Sequence, residues 1–359
     1  MNDYTQEELL FVWLAACAKL DDRARSAVAR TCAQGLPLSE LKKICAAVIQ
    51  TGADGVYNTD RTTPEREAEQ YLARLSEKHC FAVTPASADY PEALRAIPDP
   101  PIALFCMGRR ELFSARKFCI VGSRLLPAWA AKTGKAIAAE LSSRFVIVTG
   151  IAEGGDRAAI DGALSSGNLI SVLPCGLDVD YPAVHAALKR EIAKRALLVS
   201  EYPMGTRVQK SAFHARNRIL AGLSEGVLVL AAGQKSGSLI TAERALAYGR
   251  EVFALPHNAG AAQGAGCNEL IKQGAYLCTD AGDIFEMFGM ERTAHAAPAL
   301  TKEEQKLFAV LSAAGEGHAA ALAAKAGVPV WEAQATLASL EIKGLAARAG
   351  GNVYTALKK

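Results

Sequence analysis

The sequence predicts an α/β protein: a doubly wound parallel sheet, flanked by a small N-terminal helical domain and a C-terminal winged-helix-like domain. Three observations carry this. Apolar runs at 118–121, 145–148, 169–173, 197–199, 227–230 and 252–255 alternate with amphipathic stretches at 127–142, 155–165, 183–195, 214–223 and 238–249. Runs that are apolar throughout, separated by helical stretches, belong to parallel strands covered on both faces. Several of these runs end in glycine-rich loops that lead into helices. The last 60 residues read as helix, helix, helix and hairpin.

The elements follow in order. Residues 1–80 carry helical stripes opening with Leu9, Leu10, Val12, Trp13 and Leu14, and again from Leu36 to Ile49. Thr5 with Glu8 forms a capping box pattern, and Gly35, Gly52 and Gly55 punctuate the segment. Residues 81–290 form the sheet domain. Residues 291–300 read as a linker, and 301–359 as the winged-helix-like domain, with helices at 301–313, 318–326 and 330–343. Thr301 with Glu304 gives its first helix a capping box.

Composition narrows the function classes. The 359 residues are half hydrophobic, with 40 Lys plus Arg against 37 Asp plus Glu, a net charge of +3. That excludes a disordered chain and a surface coated in positive charge. Any nucleic-acid partner must therefore meet a local basic cluster. The nine cysteines show no CxxC and no metal-ligand spacing, so buried free thiols are expected, and no metal. The acidic N-terminus lacks a signal-peptide pattern, and no apolar run has the roughly 18 residues of a membrane span. A cytoplasmic protein with no membrane span is expected.

Ligands of open α/β sheets bind at the carboxyl ends of strands. Three such ends are glycine-rich: Gly122-Ser123-Arg124, then Gly150 to Gly154-Gly155-Asp156, then Gly233 to Ser236-Gly237-Ser238. Glycine admits close backbone approach, and helix N-termini attract anions, so the three loops together predict a crevice suited to phosphates. There is no Walker A motif and no dinucleotide fingerprint, and no cofactor is expected. The densest local feature is Lys210-Ser211-Ala212-Phe213-His214-Ala215-Arg216-Asn217-Arg218. Cations beside an aromatic ring suit single-stranded nucleic acid, whose phosphates need charge and whose bases need a stacking surface. The competing reading makes Phe213 a core residue and pairs Arg216 or Arg218 with an acid such as Glu201. Arg216 and Arg218, two apart on a helix, face different sides. His214 reads as a packing or polar contact, with phosphate contact as the sharper alternative.

At this point the motifs resemble one family, DNA-processing protein A (DprA/Smf). The resemblance runs through about 200 positions. It begins with Tyr90-Pro91-Glu92-Ala93-Leu94, Pro101, Gly108, Val121-Gly122-Ser123-Arg124 and Thr149-Gly150-Ile151-Ala152-Glu153-Gly154-Gly155-Asp156. It continues through Gly176-Leu177-Asp178, Tyr181-Pro182, Ser200-Glu201-Tyr202-Pro203 and Phe213-His214-Ala215-Arg216-Asn217-Arg218. It closes with Ser236-Gly237-Ser238-Leu239-Ile240-Thr241, Gly249-Arg250 and the stretch from Gly266 to Ala275. Each motif alone is weak; their order and spacing together are specific.

The resemblance implies an extended Rossmann-like core that binds single-stranded DNA without sequence preference. It implies a SAM-like N-terminal domain, protection of incoming DNA in natural transformation, and loading of the RecA recombinase, with single-strand-binding protein as a further partner. It also implies a homodimer formed near 265–285, which places Leu270 and Ile271 at the interface. The implied DNA pocket uses Arg124, Lys210 and Phe213, with Arg216, Asn217 and Arg218 lining or supporting it, beside Gly122, Ser123, Gly150, Gly154, Ser236, Gly237 and Ser238. The chain departs from the family pattern at Ile160, where a histidine is usual, at 229–232, and at His257, where a glycine usually follows Pro256.

The alternative class is a nucleotide-binding or nucleotide-cleaving protein of the lysine-decarboxylase-like superfamily. Those proteins place a catalytic glutamate where Thr241 stands here, and Glu243 lies about 200° further round a helix. No GxSxG elbow offers a serine nucleophile. A non-enzymatic binding protein is therefore expected. The 330–343 helix has two acids and one lysine, which favours protein contact over duplex reading.

Overall fold

Nine strands form one sheet in the order β1-β2-β6-β5-β4-β3-β7-β8-β9. They are Cys80–Val83, Leu104–Gly108, Lys117–Val121, Val146–Thr149, Leu169–Leu173, Leu197–Ser200, Gly226–Val229, Glu251–Ala254 and Tyr276–Leu277, numbered β1 to β9 along the chain. This is a computed structural model, which describes residues 4–18, 20, 22–32, 37–51, 63–291 and 300–357. The expected linker, apart from its two end residues, and the glycines at 35, 52 and 55 lie outside the described residues.

The six expected runs are β3 to β8, and neighbours among β3–β9 pair in parallel. The sequence reading did not anticipate β1, β2 or β9. The strands β1 and β2 extend the sheet beyond β6 through antiparallel pairings, so it is mixed at that edge.

Alternation along each strand feeds two separate cores, because successive side chains point to opposite faces. Phe118, Ile120, Ile147, Leu198, Leu228 and Phe253 enter one layer. Cys119, Val121, Val148, Val172, Val199 and Val229 enter the other. Helices Ala128–Leu141 and Gly155–Ala163 cover the first layer, through residues such as Ile137, Leu141 and Ile160. Helices Lys210–Leu223, Gly237–Ala247 and Ala265–Lys272 cover the second, through Ile219, Leu220, Ala242 and Cys267.

The N-terminal helices Gln6–Val12, Asp22–Cys32, Leu38–Thr51 and Pro64–Glu77 contribute Leu10, Ala29, Leu41 and Leu75 to the first layer, joined by Trp13 of the turn that follows the first. Tyr71 meets Phe105 of β2 edge-on at 5.5 Å, so the core runs across the boundary drawn at residue 80. Thr5 and Glu8 form the expected capping box. Contacts divide the chain at residue 292, into Met1–Arg292 and Thr293–Lys359.

The second unit has helices Lys302–Ala314, Ala319–Ala326 and Val330–Ile342, with β10 (Glu316–His318), β11 (Ala346–Gly350) and β12 (Val353–Ala356). Its sheet has the order β10-β12-β11, the first strand being an addition to the expected hairpin. Leu307, Leu311, Leu322, Leu337, Leu340 and Tyr354 fill its core. The described cysteines whose side chains are placed are free thiols, all but Cys17 buried. Among the described residues no helix is long and apolar enough to cross a membrane, and no His, Cys, Asp and Glu cluster could hold a metal ion.

Candidate functional site

Strand order reverses between β3 and β7. The chain winds outward through β4, β5 and β6, then returns to lay β7 on the other side of β3. The crevice outside the carboxyl ends at such a switch point is where an open α/β sheet takes its ligand. The loops after β3, β4 and β7 meet there. The Ser123 N–H donates to Ala231 O at 2.8 Å, and Ser123 O accepts from the Gly155 N–H at 3.1 Å. The three glycine loops are thus stitched together around residue 123.

The same bonds correct one expectation. The Ser123 and Gly155 amides are spent on protein carbonyls, and the Ala152 amide on the Asp156 carboxylate. The glycines here serve close packing more than a cradle for phosphate. Gly122 packs against Gly155. Gly154 has φ 77°, and a side chain there would collide with the Ser123 carbonyl. Gly150 is buried, and a Cβ on it would strike both Asp156 Oδ2 and Arg216 Nη1. Ser236 caps helix Gly237–Ala247, its Oγ accepting from the Ser238 N–H, and Asn217 Nδ2 donates to Gly237 O at 3.2 Å. That bond ties the β7 loop to helix Lys210–Leu223.

The basic segment divides into two groups. Arg124 and Lys210 are exposed. The Arg124 guanidinium lies over the Phe213 ring, 5.2 Å from its centroid, and Tyr181 meets the same ring edge-on at 5.7 Å. Phe213 is half-buried, so it is a presented ring and not a core residue. Lys210 opens the helix that carries it, three residues earlier, on the neighbouring helical position. His214 is exposed on the next position.

Arg216, Asn217 and Arg218 are 6%, 8% and 8% exposed, and their partners are internal. Arg216 Nη1 donates to the Val172 carbonyl of β5. Burial pushes the Asp156 carboxyl up from its ordinary range, opposed first by Arg216; burial pulls Arg216 down, opposed first by Asp156. The two compensate each other beneath Gly150. Arg218 turns the other way, as its spacing from Arg216 requires. It pairs with buried Glu201, the acid singled out in the sequence, and lies 3.5 Å from Asp99. Its charge is therefore held inside the second core layer and away from the crevice surface.

Sequence reasoning missed several residues here. Tyr181 carried no assigned role. Lys235 stands exposed in the β7 loop. His185 is buried against the β4 loop, its Nδ1 2.7 Å from Ile151 O and its Nε2 2.6 Å from Glu153 Oε1. No local pattern announces these contacts, whose partners lie tens of residues apart. At the other end of the sheet, Leu270, expected at an interface, is part of the second core layer, with Ile271 packed against it. The exposed apolar residues at that edge are Tyr276 and Leu277 of β9. In the alternative class's position Thr241 is buried, while Glu243 is exposed.

The fold is that of a doubly wound α/β protein, with an exposed cation over a partly buried ring at the switch point of its sheet, an arrangement that a flat, charged ligand would fit. Comparison with known proteins makes this specific. Residues 81–289 match the model of the DNA recombination-mediator protein A family, and residues 291–352 match the DprA winged helix domain. The chain belongs to the DNA recombination-mediator protein A (DprA/Smf) family. It is 42% identical over 200 residues to DNA processing protein DprA of Streptococcus pneumoniae, covering 55% of this chain and 71% of that one. It is 37% identical over 248 residues to Protein Smf of Synechocystis, covering 66% and 60%. The X-ray structure of DNA processing protein A from Streptococcus pneumoniae superposes with TM-score 0.62 and 32% identity, over 82% of this chain and all of that one. The structure of DNA processing protein A from Helicobacter pylori, described for its single-stranded DNA binding mode, superposes with TM-score 0.53 and 32% identity, over 58% and 95%. The chain thus spans between 60% and 71% of these two sequence relatives.

Proposed function

We propose that this protein binds single-stranded DNA without sequence preference and mediates recombination, protecting incoming DNA and loading RecA onto it. The observation that carries the reading is the Arg124–Phe213 stack beside Lys210 at the switch-point crevice. A partly exposed ring is a surface on which any base could stack, and the two cations offer the backbone a counter-charge, which is the sequence-tolerant chemistry of single-strand binding. Arg216, Asn217 and Arg218 support the pocket from within: Asn217 fixes the β7 loop, and the two arginines anchor the helix that presents Phe213. Membership of the family and the single-stranded DNA binding described for the Helicobacter pylori relative support the same reading.

The reading includes a homodimer, for which the exposed Tyr276 and Leu277 of edge strand β9 offer an apolar sheet edge. In the second unit, helix Val330–Ile342 exposes Val330, Trp331 and Ile342, which suits contact with a protein partner. The reading includes no catalytic step.

The test is equilibrium binding of a labelled oligothymidine and a mixed-sequence oligonucleotide across a salt series. Assembly of RecA on DNA coated with single-strand-binding protein is followed with and without this protein. Similar affinity for both oligonucleotides, lowered by Arg124→Ala and by Lys210→Ala, supports the reading. Wild-type affinity in both variants overturns the pocket.

A further inference from the structure

The carboxyl edge of the sheet carries a second presented aromatic that the pocket does not use. Trp129 lies in the first turn of helix Ala128–Leu141, directly after the Ser123–Arg124 loop, and is 49% exposed. It lies five positions after Arg124, so their Cα atoms are no more than about 18 Å apart. Its indole meets the His257 ring edge-on, with centroids 4.8 Å apart. His257 follows β8, so the pair bridges the loops after β3 and β8 on the ligand side of the sheet.

His257 is fixed in an unusual degree of detail. Its Nε2 donates to the Leu230 carbonyl at 3.0 Å, which orients the ring. Its own N–H and C=O are clamped by the Asn268 side-chain amide, both at 2.9 Å. A Cβ on Gly264 would overlap the imidazole, so the ring fills the space that glycine leaves. A ring already held in place loses little freedom when a flat partner lands on it. Single-strand grooves engage several nucleotides, whereas the Arg124–Phe213 pocket offers one ring.

We propose that Trp129, braced by His257, is a second base-stacking platform for the same strand. It would take an unpaired nucleobase beside the one that Phe213 takes. The proposal rests on the single-stranded DNA reading above.

The test uses the full chain carrying Trp331→Phe. Trp129 is then the exposed indole, since Trp13 is 1% exposed and bonded to Glu67. Titration with oligothymidine should quench Trp129 emission in step with binding measured from a labelled strand. Trp129→Ala should weaken binding about fivefold or more, the loss of one stacked base, with an unchanged salt slope. Trp129→Phe should retain most of the affinity, which separates loss of stacking from loss of folding. His257→Ala should give an intermediate loss. Wild-type affinity in Trp129→Ala, with emission unmoved at saturation, overturns the proposal; if Lys210→Ala still weakens binding in that case, the function reading stands. A wild type that binds no oligonucleotide overturns both.

Discussion

Arg218 lies within nine residues of Lys210 and carries the same charge, yet the structure buries the first and exposes the second. The decisive perturbation is Arg218→Met set beside Lys210→Ala. Removing Arg218 strands the Glu201 carboxylate inside the second core layer, where Asp99 is a further acid. Breaking one side of a buried ion pair costs about 3–5 kcal/mol. At roughly 2–4 °C per kcal/mol for a unit of this size, thermal unfolding should fall by about 6–20 °C. The double variant Arg218→Met with Glu201→Gln should recover much of that loss, because a pair removed together leaves no uncompensated charge. The DNA side gives the contrast. Each phosphate contact on a single strand contributes about 0.7 to the slope of log affinity against log salt. Lys210→Ala should lower the slope by about that much, equivalent to roughly 2.6-fold in affinity between 50 and 200 mM salt. Arg218→Met should leave the slope of the folded protein unchanged. Urea or thermal melts and fluorescence anisotropy over a salt series read both quantities. A melt like wild type together with a slope lowered by about 0.7 would refute the assignment and make Arg218 a phosphate ligand.

Phe213→Ala should weaken oligonucleotide binding by about 1–3 kcal/mol with no change in salt slope, since stacking releases no counterions. Gly154→Ala should destabilise the sheet unit by about 1–3 kcal/mol or more, because residue 154 combines φ 77° with a side-chain direction blocked by the Ser123 carbonyl; a melt like wild type would contradict that. In the second unit, Lys343 and then Ser339 hold the Glu304 carboxyl down to about 2. Its folded value lies below the ordinary 4.5, so its contribution is present above pH 4.5 and lost as pH falls toward 2. Glu304→Gln should flatten that window in an acid titration followed by Trp331 emission.

How much of this was legible depends on how local each signal is. Strands β3 to β8 were legible because burial on both faces makes them apolar at every position. The strands β1 and β2 were not. Leu104–Gly108 sits between prolines and arginines, and β2 pairs with β6, 89 to 95 residues away. With two residues, β9 is too short to show a period. In the site, the spacing of Arg216 and Arg218 disclosed that they diverge, and Glu201 could be named as a partner. That both sides of the helix are covered could not be read, because the covering residues come from β5 and from around Asp99. The ring contacts Tyr181–Phe213 and Trp129–His257 join residues 32 and 128 positions apart, and no motif encodes them.

The net charge of +3 takes on a sharper meaning once charges are sorted by exposure. Asp156 and Glu201 compensate Arg216 and Arg218 inside the fold. That leaves Arg124, Lys210 and Lys235 among the exposed cations of the crevice loops and the helix beside them. Three phosphate contacts per protomer would give a salt slope of about −2, an affinity loss of roughly 20-fold between 50 and 200 mM salt. Proteins that rely on six to ten contacts lose about 10³–10⁵ over the same range. A site with few phosphate contacts must draw more of its affinity from rings, and rings are what the structure presents at Phe213. A measured slope near −2 per bound protomer, with a large penalty at Phe213, fits that division of labour. A slope steeper than about −5 would require cations outside this crevice, and would move the main DNA contact elsewhere on the protein.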